Sequence, residues 1–145
     1  MRLREMLSSE CSMLIAEQRV ARLGCCRDNQ PYVVPIYYVR AEGQIFGFSM
    51  PGRKIEFMRS NPLVCVEIEH STDQHRWKCV VIEGRYHEFH KETEKKHAWN
   101  ILKVYNDWWD PGALNWGSDA KPPGYLPVFF AISMDNVTGR EAILS

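Results

Sequence analysis

Residues 31 to 62, PYVVPIYYVRAEGQIFGFSMPGRKIEFMRSNP, constrain the fold more than any other stretch of the chain. Two runs dense in Val, Ile, Tyr and Phe, side chains that fit a pleated and half-buried surface, flank the turn-forming Ala41-Glu42-Gly43. They read as antiparallel strands, Pro31 to Arg40 and Gln44 to Met50. Pro51-Gly52 breaks the second strand, residues 53 to 60 form a short helix, and Asn61-Pro62 ends it because proline disfavours a helical residue before it. The helix entrance carries Gly52, Arg53 and Lys54 side by side. The first N–H groups of a helix lack partners within it and the helix dipole is positive there, so an anion at that point is stabilised twice. Arg53 adds a forked donor and Lys54 a point charge. On their own the two cations favour a solvated helix start; the surrounding pattern shifts the reading toward a phosphate site.

The rest of the chain extends this pattern. Ser8 or Ser9 can cap a helix running to about Gln18, and Val20 to Cys26 is a strand that pairs with Pro31 to Arg40 across Arg27-Asp28-Asn29-Gln30. Leu63 to Glu69 is a fourth strand. Trp77 to Phe89 is a long fifth one, with Gly84 where a bend or bulge falls. Lys91 to about Asn106 is a helix, residues 107 to 126 are a loop holding Trp108, Trp109, Trp116 and Tyr125, and Pro127 to Met134 is the last strand. Six strands and three helices, with several strands apolar on both faces, predict one domain over residues 1–145. It is mainly β with flanking helices, its sheet curling into a small antiparallel barrel. Such a barrel has little room inside, so a cofactor would lie on its outer wall, in a groove, or between two copies.

Charge and cysteine usage exclude several classes of partner. The 18 basic and 18 acidic side chains cancel, leaving no global field to recruit nucleic acid or an anionic bilayer. Cys11, Cys25, Cys26, Cys65 and Cys79 are odd in number, form no C-x-x-C and sit mostly in apolar runs, which predicts buried free thiols in a reducing cytoplasm. No apolar run approaches the roughly 18 residues that span a bilayer.

The order of these pieces resembles the FMN-binding split-barrel superfamily, the group of pyridoxamine 5′-phosphate oxidase and many smaller flavoproteins. The resemblance spans most of the chain. It rests on R-V-A-R-L-G at 19–24, P-Y-V-V-P-I at 31–36, I-F-G-F-S at 45–49, G-R-K at 52–54, R-S-N-P at 59–62, V-C-V-E-I at 64–68, V-V-I-E-G-R at 80–85 and V-T-G-R-E at 137–141. It implies a six-stranded split barrel and a homodimer with FMN in the clefts between subunits. In relatives the positions matching Ser49, Arg53 and Lys54 hold the phosphate, backbone around those matching Val34, Pro35 and Ile36 lines the isoalloxazine, and the partner subunit contributes residues around Trp77 and Lys78. A proline at 35 also removes one ladder donor, which suits a strand edge facing a ligand. The implied function is an oxidoreductase passing electrons from reduced flavin to a small-molecule acceptor. The alternatives are a flavin carrier or sensor without turnover, or a relative binding haem or deazaflavin.

Two departures narrow the resemblance. The Arg-x-x-Pro type segment that holds pyridoxal phosphate in the oxidase is not found before Ser145, which disfavours pyridoxamine phosphate oxidation. The chain is closer to the small flavoproteins that include nitroimidazole-resistance proteins, but many of those place His where Arg53 stands, which argues against nitroreduction specifically. His70, at the end of the fourth strand, reads as a solvated histidine or as a proton donor to a reducing substrate. His87 and His90 point to opposite faces of a strand, which disfavours a shared metal. The aromatic loop reads as a hydrophobic plug, or as a wall near the flavin.

Overall fold

Each of the first two hairpins is set by a two-residue turn whose central residues accept positive φ. Asp28 and Asn29 take φ of 50° and 65°, and Glu42 and Gly43 take 53° and 72°. Turns of this hand match the right-handed twist of the strands they join. The computed structural model describes residues 1–108 and 126–144, with backbone alone at 106–108. The elements are β1 (Arg2–Glu5), α1 (Ser8–Glu17), β2 (Val20–Arg27), β3 (Gln30–Tyr37), β4 (Val39–Ala41), β5 (Gln44–Ser49), α2 (Arg53–Ser60), β6 (Leu63–Asp73), β7 (Arg76–Glu88), α3 (Glu92–Leu102), β8 (Val128–Ser133) and β9 (Asn136–Ile143). A 3-10 segment, Lys103–Trp108, follows α3. Trp109, Trp116 and Tyr125 of the predicted aromatic loop lie outside the described residues.

The described residues hold nine strands, not six, and every pairing is antiparallel. Three local causes account for the difference. The predicted strand from Pro31 to Arg40 divides at Tyr38, which leaves the ladder to point inward: its hydroxyl donates to the Ile15 carbonyl at 2.7 Å and its N–H to the Arg19 carbonyl at 2.9 Å. β9 escaped notice because its inward positions include Gly139 and Ala142, which are too small to show as a hydrophobic alternation. β1 is four residues long and carries three charges. The helix start at Ser8 is also capped differently from expectation, since Glu10 reaches back to accept from the Leu7 N–H at 2.9 Å.

Hydrogen bonding runs β3-β2-β6-β7-β8-β5-β4, with β9 paired to β7 and β1. The path is open, with β3 and β4 at its two ends, so backbone bonds do not close the expected barrel. β7 belongs to both halves. Through Glu83 it pairs with β9, and from Tyr86 it pairs with β8. Gly84 lies between these stretches, and a Cβ there would come within 1.8 Å of the Ser133 carbonyl oxygen. The expected bend is therefore a place where a side chain has no space. Ile36, Tyr38, Ile45, Ile68, Ile82 and Phe130 fill the interior between the two halves, each contributing about 1.5–3 kcal/mol for the apolar surface it buries. A second cluster, Phe46, Ala98, Leu102, Phe129 and Ala131, seats α3 on β5 and β8. Among the described residues no helix is long and apolar enough to cross a membrane.

Removing the Tyr38 hydroxyl while keeping its ring isolates its bond to α1. Tyr38→Phe leaves a buried Ile15 carbonyl without that donor and is expected to destabilise the fold by about 1–3 kcal/mol. Urea unfolding with an unchanged m-value checks this.

Candidate functional site

The end of β5 delivers the chain into α2, and the two residue types needed to hold an anion meet there. Gly52 caps α2 without a side chain, so the N–H groups of the first turn face outward with no side-chain acceptor from the cap. Lys54 is half-buried, and that burial pulls its ammonium below the usual lysine range, the nearby Cys25 acting in the opposite sense. Among the described residues no carboxylate lies within ion-pair distance of Lys54 or Arg53. A desolvated cation without a counter-ion is costly unless an anion completes it. Arg53 is exposed, and its guanidinium carbon sits 4.8 Å from the centre of the Tyr32 ring and 5.3 Å from that of Phe57. Those rings lie 5.6 Å apart, so they form an aromatic bed that orients the guanidinium and leaves its N–H edges available. Ser49 is 7 % exposed and its hydroxyl donates to the Met50 carbonyl at 2.8 Å, so it must rotate to donate to an anion.

β3 runs beside this entrance as an edge strand. Val34, Pro35 and Ile36 pair with Leu23, Arg22 and Ala21 of β2, and no strand occupies the other edge among the described residues. Val34 and Ile36 pack into the core while Pro35 is exposed. The exposed parts of this stretch are thus its outer backbone edge and the Pro35 ring.

His70, Trp77 and Lys78 form a separate group. β6 continues to Asp73 instead of ending at Glu69, so His70 lies within the strand, opposite Lys78, and Trp77 lies opposite Ser71. With Arg76, Glu141 and Leu144 they line an open cavity of about 360 Å³. Arg4 holds Glu141 at 2.7 Å and Asp73 holds Arg76 at 3.1 Å. Among the described residues no hydrogen bond joins this group to Arg53 or Lys54. Tyr32 and Phe57 escaped sequence reasoning, although the alternation of Tyr32 with Val34 and Ile36 puts all three on one face of β3. Of the cysteines, Cys11 and Cys25 are buried as predicted, Cys26 and Cys79 are half-buried, and Cys65 is exposed; all are free thiols. Glu67 accepts from the Cys79 thiol at 3.2 Å, and burial foremost pushes that thiol up to about 12.

The far end of α2 is braced to β7. Arg59 donates to both oxygens of Glu88, Nε at 2.8 Å and Nη2 at 2.9 Å, and the Tyr86 hydroxyl donates to the same carboxylate at 2.7 Å. This forked pair fixes the helix whose other end presents Arg53 and Lys54.

The structure thus sets a cationic helix entrance beside the open edge of an antiparallel sheet divided into two halves. Residues 8–141 match the family described as pyridoxamine 5′-phosphate oxidase. An uncharacterised protein of Rhizobium meliloti is 41% identical over 143 residues, covering 96% of this chain and 95% of its own. The crystal structure of a FAD-binding protein from Mesorhizobium loti is also 41% identical, with a TM-score of 0.80 over 99% of this chain and 100% of the other. A Bacteroides thetaiotaomicron protein described in terms of 5-nitroimidazole antibiotic resistance shares 20% identity and a TM-score of 0.76, over 97% of this chain and 87% of the other, a likeness of fold alone. The chain belongs to the pyridoxamine 5′-phosphate oxidase family, within the flavin-binding split-barrel group.

Glu88 gives the brace a pH dependence. Its bonds from Arg59, opposed by burial and helped by Tyr86, hold its carboxyl below the ordinary carboxylate range. A lowered folded-state value means the stabilisation is fully present above the unfolded value of about 4.3 and is lost as pH falls through the lower folded one. Melting temperatures of wild type and Glu88→Gln are therefore expected to differ most at neutral pH and to converge in acid.

Proposed function

We propose that the chain is a homodimeric flavoprotein oxidoreductase whose flavin phosphate rests at the entrance of α2. The observation that carries this reading is Lys54, a half-buried cation without a carboxylate partner among the described residues, set beside an uncapped helix start. The residues fit a phosphate: outward N–H groups, a desolvated ammonium and an oriented guanidinium are the donor set a dianion requires. Similarity to the FAD-binding protein of Mesorhizobium loti supports a flavin in particular. In this reading Ser49, Arg53 and Lys54 hold the phosphate, and the open edge of β3 at Val34, Pro35 and Ile36 lies along the ring. A second protomer brings Trp77, Lys78 and His70 to complete the cleft, which accounts for two groups of site residues standing apart in one chain. The two sheet halves then form a split barrel held by side-chain packing, in a cytoplasmic protein whose thiols stay reduced.

A bound flavin supplies reversible two-electron transfer at its ring, FMN being the minimal form. The chain's own residues bind and orient it, exclude water from one face, and place donors where negative charge develops on reduction. His70, in the wall shared with Lys78, is the side chain available to pass a proton to a small-molecule acceptor.

Two measurements test the reading. Arg53→Ala with Lys54→Ala is expected to lose bound flavin while its circular dichroism and melting stay close to wild type; undiminished flavin in the purified double variant would remove the phosphate assignment. Flavin affinity is also expected to fall as pH rises through the lowered Lys54 value, because the neutral amine no longer pairs with the phosphate. Lys54→Arg, which stays charged throughout, should flatten that decline in fluorescence titrations across the same pH series.

A further inference from the structure

The cavity of about 360 Å³ that His70 and Lys78 line falls in the range of about 300–1,000 Å³ typical of small-molecule sites. Strand alternation brings its polar wall together. Lys78 lies two residues from Val80 on β7, His70 two from Ile68 on β6, and Glu141 two from Gly139 on β9, so all three extend the core face past its apolar end. α1 covers this face at Gly139, where Cys11 and Met6 lie over the backbone, and the cavity lies further along the strands.

The register sets His70 opposite Lys78 and Lys78 opposite Glu141, positions from which cross-strand side chains can meet. Yet Glu141 pairs elsewhere. Arg4, opposite it on β1, holds it at 2.7 Å and also binds Glu10 of α1, the other carboxylate that feels the charge of Lys78. Lys78 is left half-buried, with no carboxylate within ion-pair distance among the described residues. Arg76, the next residue on the same face of β7, donates from Nε to Asp73 at 3.1 Å, and no hydrogen bond among the described residues uses its two Nη groups. An ammonium and the open end of a guanidinium therefore line one cavity, beside the apolar Ile143 and Leu144. Two cations against the one lining carboxylate leave a single net positive charge, which suits a monoanion better than a dianionic phosphate. We propose that this cavity binds a small organic carboxylate. Lys78 and the Arg76 fork hold its two oxygens, His70 stands beside Lys78 as a further polar contact, and Ile143 and Leu144 take the apolar body. As the class of the small-molecule acceptor this rests on the flavin reading above; the binding itself needs only these residues of one protomer.

The test titrates the purified protein with benzoate and with benzamide, which has the same flat body and no charge. Benzoate is expected to raise the melting temperature and to bind at least about tenfold more tightly than benzamide. Lys78→Met, which keeps the length of the stem and removes the charge, should erase that preference. Arg76→Gln repeats the challenge from an exposed position if the first variant fails to fold. Arg53→Ala with Lys54→Ala should leave benzoate affinity within about twofold, because those cations belong to the other group. Equal affinities for benzoate and benzamide, or a benzoate preference that survives both Lys78→Met and Arg76→Gln, would overturn the carboxylate site. So would a preference lost with Arg53 and Lys54 instead. A wild type that binds benzoate but no flavin would overturn the flavin reading and leave the carboxylate site standing.

Discussion

Strand β7 passes from one half of the sheet to the other at a point where its backbone lies against the Ser133 carbonyl with no side chain between them. Gly84 makes that contact, and the ladders on either side follow from it: β9 alongside residues 77 to 83, β8 alongside residues 86 to 88. Around the bend the backbone groups remain satisfied. The Asp135 N–H donates to the Glu83 carbonyl at 3.0 Å, the Arg85 N–H to the Ser133 hydroxyl at 3.0 Å, and the Tyr86 N–H to the Pro62 carbonyl at 2.8 Å. Pro62 also closes the exit of α2, and Glu88 two residues beyond Tyr86 grips Arg59. The bend therefore fixes the exit end of the helix whose entrance holds the cations.

Much of this was legible in the residues. Asn, Asp and Gly at the turns, the strand-forming runs of β2, β3 and β5, the Pro51-Gly52 break and the Asn61-Pro62 stop are local chemistry, and they place α2 and its cations correctly. The bend at Gly84 was legible too, because a glycine inside a long strand pattern marks a bulge, a bend or a close approach of backbone. What escaped depended on distant partners. Tyr38 looked like one more strand residue, and only the position of α1 shows why it turns inward. β9 buries Gly139 and Ala142, whose small size is set by Cys11 and Met6 above one of them, a constraint that no periodicity reveals.

The site divides in the same way. The helix entrance is a local signal and reads directly from Gly52-Arg53-Lys54. The aromatic bed is not local: Tyr32 and Phe57 are far apart in sequence and meet through the packing of α2 against β2 and β3. Nor is the separation of Trp77 and Lys78 from Arg53 visible in a linear pattern. Lys54 unites both levels, since its sequence position marks the helix entrance and its half-burial comes from the packing around α2.

The free edge of β3 carries a further consequence. An unpaired strand edge is a template on which other chains can polymerise. Pro31 and Pro35 bring no amide hydrogen, so an incoming strand would find its ladder interrupted twice within one β3. The same two prolines thereby guard the open edge against aggregation.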